Sequence, residues 1–183
     1  MTANDAEYGK PHAAPPDKTL IAFPPVADSR SRVLLLGSMP GERSLRLGQY
    51  YGHPRNHFWP LVYGLFGQSA DPDYAARLAF ALNHGLALWD VLHACEREGS
   101  LDADIVRPVA NDFAAWLRLH PGIRHLFFNG RAAEKLFRRL VLPGLDRSDL
   151  ALHLLPSSSP ARTLAFADKL AAWQAVKQAL QES

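Results

Sequence analysis

The chain has 183 residues, enough for one domain with a substantial core, and its 48% hydrophobic and 21% charged residues exclude a largely disordered protein. A single cysteine, Cys95, excludes an internal disulfide, a cysteine-based zinc site and a four-cysteine iron–sulfur cluster. The net charge of +2 is too small to indicate a nucleic-acid partner, although residues 30–60 carry five arginines against one glutamate.

Residues 1–19 are polar and rich in proline, and we expect them to form a loose tail ahead of a single domain over residues 20–183. No apolar run approaches the ~20 residues that a membrane-spanning helix needs. The first ten residues lack the basic segment and apolar core of a signal peptide. We therefore expect a cytoplasmic protein with no membrane partner.

Short apolar runs that end in glycine, proline or polar residues predict four strands, at residues 33–36, 86–92, 123–128 and 150–155. Between and after the strands, apolar residues three or four positions apart predict helices. These helices begin near Asn56, near Asp73, at Asn111 or Asp112, near Ala132 and near Phe166. Alternating strands and helices predict a mostly parallel sheet with helices on both faces.

Ligands of such sheets bind outside the carboxyl ends of the strands. Polar or glycine-rich residues follow each predicted strand: residues 37–41, Asp90, Asn129 with Gly130, and residues 157–162. We expect these segments to converge in space, although they are far apart in the sequence.

The turn Gly37-Ser38-Met39-Pro40-Gly41 is the first of these segments. Its glycines would allow the backbone to approach a ligand closely, but an ordinary strand-to-loop turn explains them equally well. No Gly-Lys-Ser/Thr follows, so the turn is not a phosphate-binding P-loop. Leu36 and Pro40 occupy the positions where a nucleophile elbow around Ser38 would need glycine.

The segment from Tyr50 to Trp59 combines aromatic residues with His53, Arg55, Asn56 and His57. Aromatic rings stack on nucleic-acid bases and arginine binds phosphate, which is one interpretation. The alternative is the hydrophobic start of a helix, capped by Asn56 and with Phe58 and Trp59 in the core. A metal site at the two histidines is disfavoured because Pro54 interrupts a continuous helix and no third ligand is evident.

The segment Ser157-Ser158-Ser159-Pro160-Ala161-Arg162 follows the fourth strand. Its hydroxyls and guanidinium suit phosphate binding, while a solvated turn before the last helix is the simpler interpretation. Cys95 lacks an evident activating group beyond His93, so we expect a buried, inert thiol.

Several motifs together resemble a known family over about residues 21–180. The chain is similar to the uracil-DNA glycosylase superfamily, and most similar to its DNA-deoxyinosine (hypoxanthine-DNA) glycosylase branch. The motifs are Phe23-Pro24-Pro25, the segment from Leu36 to Leu45, the segment from Tyr50 to Trp59, Leu88-Trp89-Asp90-Val91-Leu92, the segment from Cys95 to Leu101, Phe128-Asn129-Gly130, and the segment from Leu155 to Pro160.

The resemblance implies a three-layer α/β/α sandwich with a mostly parallel four-stranded central sheet. It implies a base-excision repair enzyme that flips a deaminated base out of DNA and hydrolyses its N-glycosidic bond. Hypoxanthine and uracil are the expected bases, with xanthine as a third candidate. The resemblance implies no cofactor and no metal, and damaged DNA is the expected partner of a chain that we expect to be monomeric.

The resemblance also implies roles for individual residues. Asn56 would hold the attacking water. Within residues 37–41, only Ser38 offers a side-chain heteroatom that could help, apart from the thioether of Met39. Residues 37–41, Phe58, Asp90 and Asn129 would bind the base, with Gly37 and Met39 lining its pocket, Phe58 stacking on it and Asn129 pairing with its polar edge. The expected DNA-binding residues are Arg43, Arg46, Arg55, His53, Ser157, Ser158, Ser159 and Arg162.

Leu155 departs from the family pattern, because many branches carry there a histidine that stabilises the departing base. The absence of lysine from the proposed loops predicts a monofunctional enzyme in which water, not an amine, attacks the sugar. Two other hypotheses are a nucleic-acid or nucleotide binding module that has lost catalysis, and a small-molecule hydrolase that uses Ser38 with a histidine.

Overall fold

The computed structural model describes residues 19–182, which form two β-sheets and six helices. The strands are β1 (Thr19–Ile21), β2 (Val33–Gly37), β3 (Leu86–Asp90), β4 (Leu92–Glu96), β5 (Val106–Ala110), β6 (His125–Asn129) and β7 (Ala151–Leu155). The helices are α1 (Glu42–Leu47), α2 (Phe58–Gly64), α3 (Tyr74–Asn83), α4 (Phe113–Leu119), α5 (Arg131–Leu140) and α6 (Phe166–Gln181). Short 3₁₀ turns cover Asp102–Asp104 and Leu142–Gly144.

The central sheet has four parallel strands, as predicted, and their order is β3-β2-β6-β7. After β2 the chain moves to one side of that strand to form β3, and then crosses to the other side to form β6 and β7. The carboxyl ends of β2 and β6 therefore lie at the point where the direction of winding reverses, which is where ligands of doubly wound sheets bind.

The sheet is buried on both faces, because successive side chains of a strand point to opposite sides. Val33 and Leu35 pack into a core with α2, α3 and α6. Leu34 and Leu36 pack into a second core with α4 and α5. Helices on both faces confirm the predicted three-layer α/β/α sandwich.

A second, antiparallel sheet in the order β1-β4-β5 was not predicted. The apolar run at residues 86–92 predicted one strand, but β3 ends at Asp90 and β4 begins at Leu92 in the other sheet. Continuous hydrophobicity does not mark this change, because Val91 is buried like its neighbours on both sides. Helix α1 was also missed, since its six residues are too few to establish a helical repeat.

Residues 1–18 of the expected N-terminal tail lie outside the described residues, and Thr19 already pairs with Glu96 in the second sheet. Within residues 19–182, no helix combines the length and the hydropathy that crossing a membrane requires.

Candidate active site

A cavity of about 440 Å³ lies at the carboxyl edge of the central sheet. This volume is within the ~300–1,000 Å³ typical of ligand pockets. The loops after β2, β3, β6 and β7 all contribute to its wall, so the expected convergence of these four segments is observed. The lining residues are 37–44, Arg46, Tyr50, Tyr51, His53, Asn56, Asp90, Ser100, Asp102, Asn129 and residues 157–160.

Most of the side chains that the sequence singled out line this cavity. They are Gly37, Ser38, Met39, Arg43, His53, Asn56, Asp90, Asn129, Ser157, Ser158 and Ser159. Phe58, Arg55 and Arg162 are not among the lining residues. Arg55 and Arg162 are exposed outside the cavity, whereas Phe58 is completely buried.

Gly37, the last residue of β2, pairs with Asp90, the last residue of β3. A Cβ atom at position 37 would overlap the Asp90 carboxylate and come within 3.1 Å of the Tyr51 hydroxyl. Glycine is therefore required at this position by close approach of the Asp90 side chain. At the cavity wall, the backbone of Gly37 therefore lies against the Asp90 carboxyl and the Tyr51 hydroxyl.

Ser38 is held by a segment that the sequence did not associate with it. Its hydroxyl donates a hydrogen bond of 2.5 Å to Oδ1 of Asp102, in the 3₁₀ turn. This bond joins the first turn to a loop more than sixty residues later in the chain. Neither His53 nor His57 is the hydrogen-bond partner of Ser38, so the geometry gives no support to a serine hydrolase.

Arg97 also holds the turn at residues 37–41 in place. It is 7% exposed, and its Nη2 donates a 2.5 Å hydrogen bond to the carbonyl of Pro40 while Nε donates to the carbonyl of Gly99. The Ser100 hydroxyl accepts a 2.9 Å hydrogen bond from the backbone N–H of Glu42. The segment after β4 thus forms one wall of the cavity and supports its glycine-framed turn.

Asp90 is 3% exposed, and its Oδ2 has no hydrogen-bond partner among residues 19–182. Burial and, to a smaller extent, the negative charge of Asp102 raise the pKa of this carboxyl, Arg97 partly opposes them, and the resulting pKa is about 7. A titratable group whose pKa is moved into the neutral range in a cavity wall is a typical feature of functional sites.

Tyr51 lines the cavity together with Tyr50, whereas Phe58 does not. The two rings stack with centroids 3.6 Å apart, and Tyr51 covers Phe58, which is 0% exposed. Tyr51 has a positive φ of 54°, rare for a non-glycine residue. The expectation that Phe58 meets a base therefore needs correction, because Phe58 packs in the core against Trp59 and Trp173.

Asn56 lies at the cavity, one residue before His57, which is the N-cap of α2. Its Oδ1 accepts a 2.9 Å hydrogen bond from the backbone N–H of Phe58, the first residue of α2. One lone pair of that oxygen and the amide N–H groups remain for other partners. The predicted N-cap is therefore wrong by one residue, although the Asn56 side chain still satisfies a backbone N–H at the start of α2.

The amide of Asn129 is bonded to the loop after β7. Its Nδ2 donates to the Ser158 hydroxyl and its Oδ1 accepts from the Ser158 backbone N–H, each at 2.8 Å. Ser158 is completely buried. Asn129 therefore fixes the serine loop, and for a ligand it offers its second N–H, which lies beside the Tyr51 hydroxyl, and its second lone pair.

Basic groups surround this site. Arg43, Arg46 and His53 line the cavity, and Arg46 also forms a 3.4 Å ion pair with Glu42. Lys169 of α6 has no exposed surface, and its Nζ donates a 3.3 Å hydrogen bond to the carbonyl of Ser159. Burial lowers the pKa of Lys169. This lysine supports the serine loop from outside the cavity.

His57 and Cys95 do not line the cavity. The His57 ring packs on the edge of Phe166, with centroids 5.4 Å apart. Cys95 is 1% exposed in the core, where burial raises the pKa of its thiol, as expected for an inert cysteine. Among residues 19–182, no group of three or more histidine, cysteine or acidic side chains is arranged to hold a metal ion.

Three site residues were missed by sequence reasoning. Tyr51 lies within a segment that the sequence had singled out, and its neighbour Phe58 was chosen in its place. Asp102 and Arg97 lie beyond β4, and no local pattern connects them with the turn at residues 37–41. Only the unpredicted second sheet brings them to the cavity.

Comparisons with known proteins agree with this geometry. The family model described as "Uracil DNA glycosylase superfamily" matches residues 24–181. A protein of Methanosarcina acetivorans named hypoxanthine DNA glycosylase is 37% identical over 155 residues, covering 84% of this chain and 95% of that protein. One of the same name from Methanosarcina barkeri is 34% identical over 152 residues, covering 82% of this chain and 93% of that protein.

A solved structure is also similar. The solution NMR structure of a Methanosarcina acetivorans protein assigned as a uracil DNA glycosylase has 35% sequence identity and a TM-score of 0.74. The match covers 89% of this chain and 99% of that chain. With the parallel sheet and the cavity at its carboxyl edge, these similarities show that the chain belongs to the uracil DNA glycosylase superfamily of DNA N-glycosylases, and within it to the hypoxanthine DNA glycosylase branch.

Proposed function

We propose that this protein is a monofunctional DNA glycosylase that hydrolyses the N-glycosidic bond of a flipped-out deaminated base. Hypoxanthine is the first candidate, because two relatives with at least 34% identity are named hypoxanthine DNA glycosylases. Uracil and xanthine are further candidates. The observation that carries the proposal is the cavity in which Asn56, Asp90, Asn129 and the ring of Tyr51 meet at the carboxyl edge of the sheet.

Base excision develops positive charge on the sugar and negative charge on the departing base, so an enzyme gains most from dipoles fixed in advance. An amide is nearly non-basic, so Asn56 does not remove a proton from water at the start of the reaction. It orients the water through its free lone pair, while its hydrogen bond to the Phe58 N–H holds the side chain still. This mechanism suits a bond that is largely broken when water arrives.

We assign the stacking surface for the flipped base to Tyr51, because Tyr51 lines the cavity and Phe58 does not. Stacking of a base on an aromatic side chain contributes about 1–3 kcal/mol. The remaining N–H and lone pair of Asn129 can contact the carbonyl and N–H that hypoxanthine and uracil share. Flipping costs a few kcal/mol, and least for a poorly paired base, which favours damaged nucleotides.

The basic side chains supply contacts to the DNA backbone. Arg43, Arg46 and His53 lie at the cavity and suit the phosphates beside the flipped nucleotide. Ser157, Ser159 and Arg162 would contact the strand next to the vacated position. We propose these contacts from position and chemistry, because phosphate oxygens accept hydrogen bonds from hydroxyl, guanidinium and imidazolium groups.

Single-turnover excision tests the proposal, with enzyme in excess over oligonucleotides that carry one hypoxanthine or one uracil. We expect alkali-labile breaks at the lesion for the natural protein and a loss of about 100-fold or more for Asn56→Ala. The matched control is Asn83→Ala, an exposed asparagine at the end of α3, which should excise normally.

Damage-specific binding without any breaks would instead support the binding-module hypothesis. Normal excision by Asn56→Ala would remove Asn56 from the mechanism. Borohydride trapping of a covalent protein–DNA adduct would contradict the monofunctional assignment, because only an amine nucleophile forms a Schiff base with the sugar.

A further inference from the structure

Asp90 lines the cavity and carries a buried carboxyl oxygen that has no hydrogen-bond partner among the described residues. The side chain is 3% exposed, and Oδ2 makes no hydrogen bond within residues 19–182. Buried polar atoms nearly always have a partner, so an unpartnered oxygen on a side chain that lines a cavity points to a group that interacts with a ligand. The hydroxyl of Tyr51, which also lines the cavity, is buried beside the amide of Asn129.

Titratable side chains from three segments surround Asp90. Asp102 of the 3₁₀ turn is a like charge, Arg97 after β4 is an opposite charge, and Tyr50 and Tyr51 are neutral phenols. Burial and Asp102 together favour the protonated carboxyl, and Arg97 only partly offsets them. A protonated carboxyl has an O–H to donate, whereas a carboxylate can only accept.

The reaction needs such a donor, because the departing base must receive either a proton or strong hydrogen bonds. The sequence already shows that no histidine occupies position 155, where many branches of the superfamily carry one. The structure places Leu155 in the core, 3% exposed and packed with Val33 and Phe58 instead of lining the cavity. The leaving group therefore has to be stabilised by a different residue.

We propose that the protonated carboxyl of Asp90 donates its proton to the departing base; the inference rests on the glycosylase function proposed above. As the C1′–N bond breaks, its electron pair stays on the base, and the Asp90 proton moves to a nitrogen or carbonyl oxygen of that base. The oxygen of water forms the new bond to C1′ and loses one proton. The Asp90 carboxylate recovers a proton from the solvent or from that water, so the overall reaction is hydrolysis.

The pH dependence of single-turnover excision of hypoxanthine tests this role, with the natural protein, Asp90→Asn and Asp104→Asn compared between pH 5 and pH 9. Asp104 lies in the same 3₁₀ turn as Asp102 and is exposed like it, but it does not line the cavity, so its variant is the control. A positioned general acid typically contributes about 10²- to 10⁴-fold. We expect Asp90→Asn to be slower by that factor at pH 6.

The diagnostic result is how this difference changes with pH. The natural protein should slow about tenfold per pH unit above pH 7 as Asp90 loses its proton, while Asp90→Asn should not, so the two rates should converge. A difference that is constant at all pH values would mean a structural role. A difference that widens as pH rises would mean that the carboxylate is the active form. Either result would overturn the proposal.

A second variant makes the test independent of how well Asp90→Asn folds. Asp102→Asn removes the like charge near Asp90 but keeps an oxygen to accept from Ser38, so the descending part of the profile should shift to lower pH. An unshifted profile would count against Asp90 as the titrating group. A natural protein that releases no base at any pH would refute the glycosylase function itself, whereas an active protein with the wrong profile would refute only the role of Asp90.

Discussion

The closest packing at the site is between Gly37 and the Asp90 carboxyl, and it determines which residue position 37 accepts. Gly37→Ala would place a methyl group on the Asp90 oxygen, and overpacking of this kind costs about 1–3 kcal/mol. We expect a lower free energy of unfolding in urea and excision at least about tenfold slower. Gly144→Ala is the control, because no atom lies within 4 Å of the added carbon and stability should change by less than about 0.5 kcal/mol. Equal effects at both positions would contradict the close approach.

Asp90 also predicts how stability depends on pH. The pKa of this carboxyl is about 7 in the folded protein, against an ordinary value of 3.8. Below pH 3.8 the group is protonated in both states and has no effect on stability. Between about pH 4 and pH 7 only the unfolded chain releases the proton, so the natural protein loses stability as pH rises, and above pH 7 the loss is constant.

Asp90→Asn removes this loss. At pH 8 its free energy of unfolding should exceed that of the natural protein by up to about 4 kcal/mol, and at pH 3.5 the gain should disappear. Urea unfolding at several pH values measures the difference, with Asp104→Asn as the control. A variant that is less stable than the natural protein at pH 8 would show that the Asp90 carboxylate is stabilised in the folded state.

A site residue could be predicted from the sequence when it stands next to a predicted strand or helix. Gly37, Asn56 and Asn129 follow or precede predicted elements, so their place at the carboxyl edge followed from the topology. To choose between Tyr51 and Phe58, one must know which of the two stacked residues lines the cavity, and sequence spacing does not contain that information. Asp102 approaches Ser38 only through the second sheet.

At the scale of elements, α2 depends on the side chain of Asn56. Asn56→Ala removes the acceptor for the Phe58 N–H and should lower the free energy of unfolding by about 1 kcal/mol. Asn56→Asp keeps an acceptor oxygen and should restore most of that stability. Urea unfolding of the two variants separates this hydrogen bond from the chemistry, and an Asn56→Ala variant as stable as the natural protein would refute its contribution to α2.

The elements themselves were predictable where hydrophobic periodicity is strong. The predicted helix starting near Asp73 was observed as Tyr74–Asn83 with Asp73 at its N-cap, where the side chain accepts from the Ala76 N–H. The antiparallel sheet was missed because β1 has three residues and the pairing of β4 with β5 is irregular. A three-residue strand and a bulged pair have no alternation long enough to recognise.

At the scale of the whole molecule, the central sheet determines where the site lies and the loops determine its chemistry. The chain passes from β3 on one side of β2 to β6 on the other, and the cavity lies at the carboxyl ends of these strands. Each strand of the central sheet contributes one polar segment to its wall. The antiparallel sheet adds the wall with Arg97 and Asp102. A chain with a net charge of only +2 therefore needs its positive charge concentrated near this crevice to bind DNA.

This concentration predicts a salt dependence that differs among the arginines. Each phosphate contact contributes about 0.9 to the slope of log affinity against log salt concentration for duplex DNA. Arg43→Ala and Arg46→Ala should each reduce that slope by about this amount, because both side chains line the cavity. Arg118→Ala, on the exposed end of α4 and away from the lining residues, should leave it unchanged.

Binding of a hypoxanthine-containing duplex to the Asn56→Ala background, measured between 50 and 300 mM salt, gives these slopes without cleavage of the substrate. Equal reductions for all three arginines would mean that total charge, not its position, controls binding. A reduced slope for Arg43 and Arg46 alone would place the phosphates at the rim of the cavity. The Asp90 carboxyl at its wall would then lie beside the flipped base, where its proton is needed.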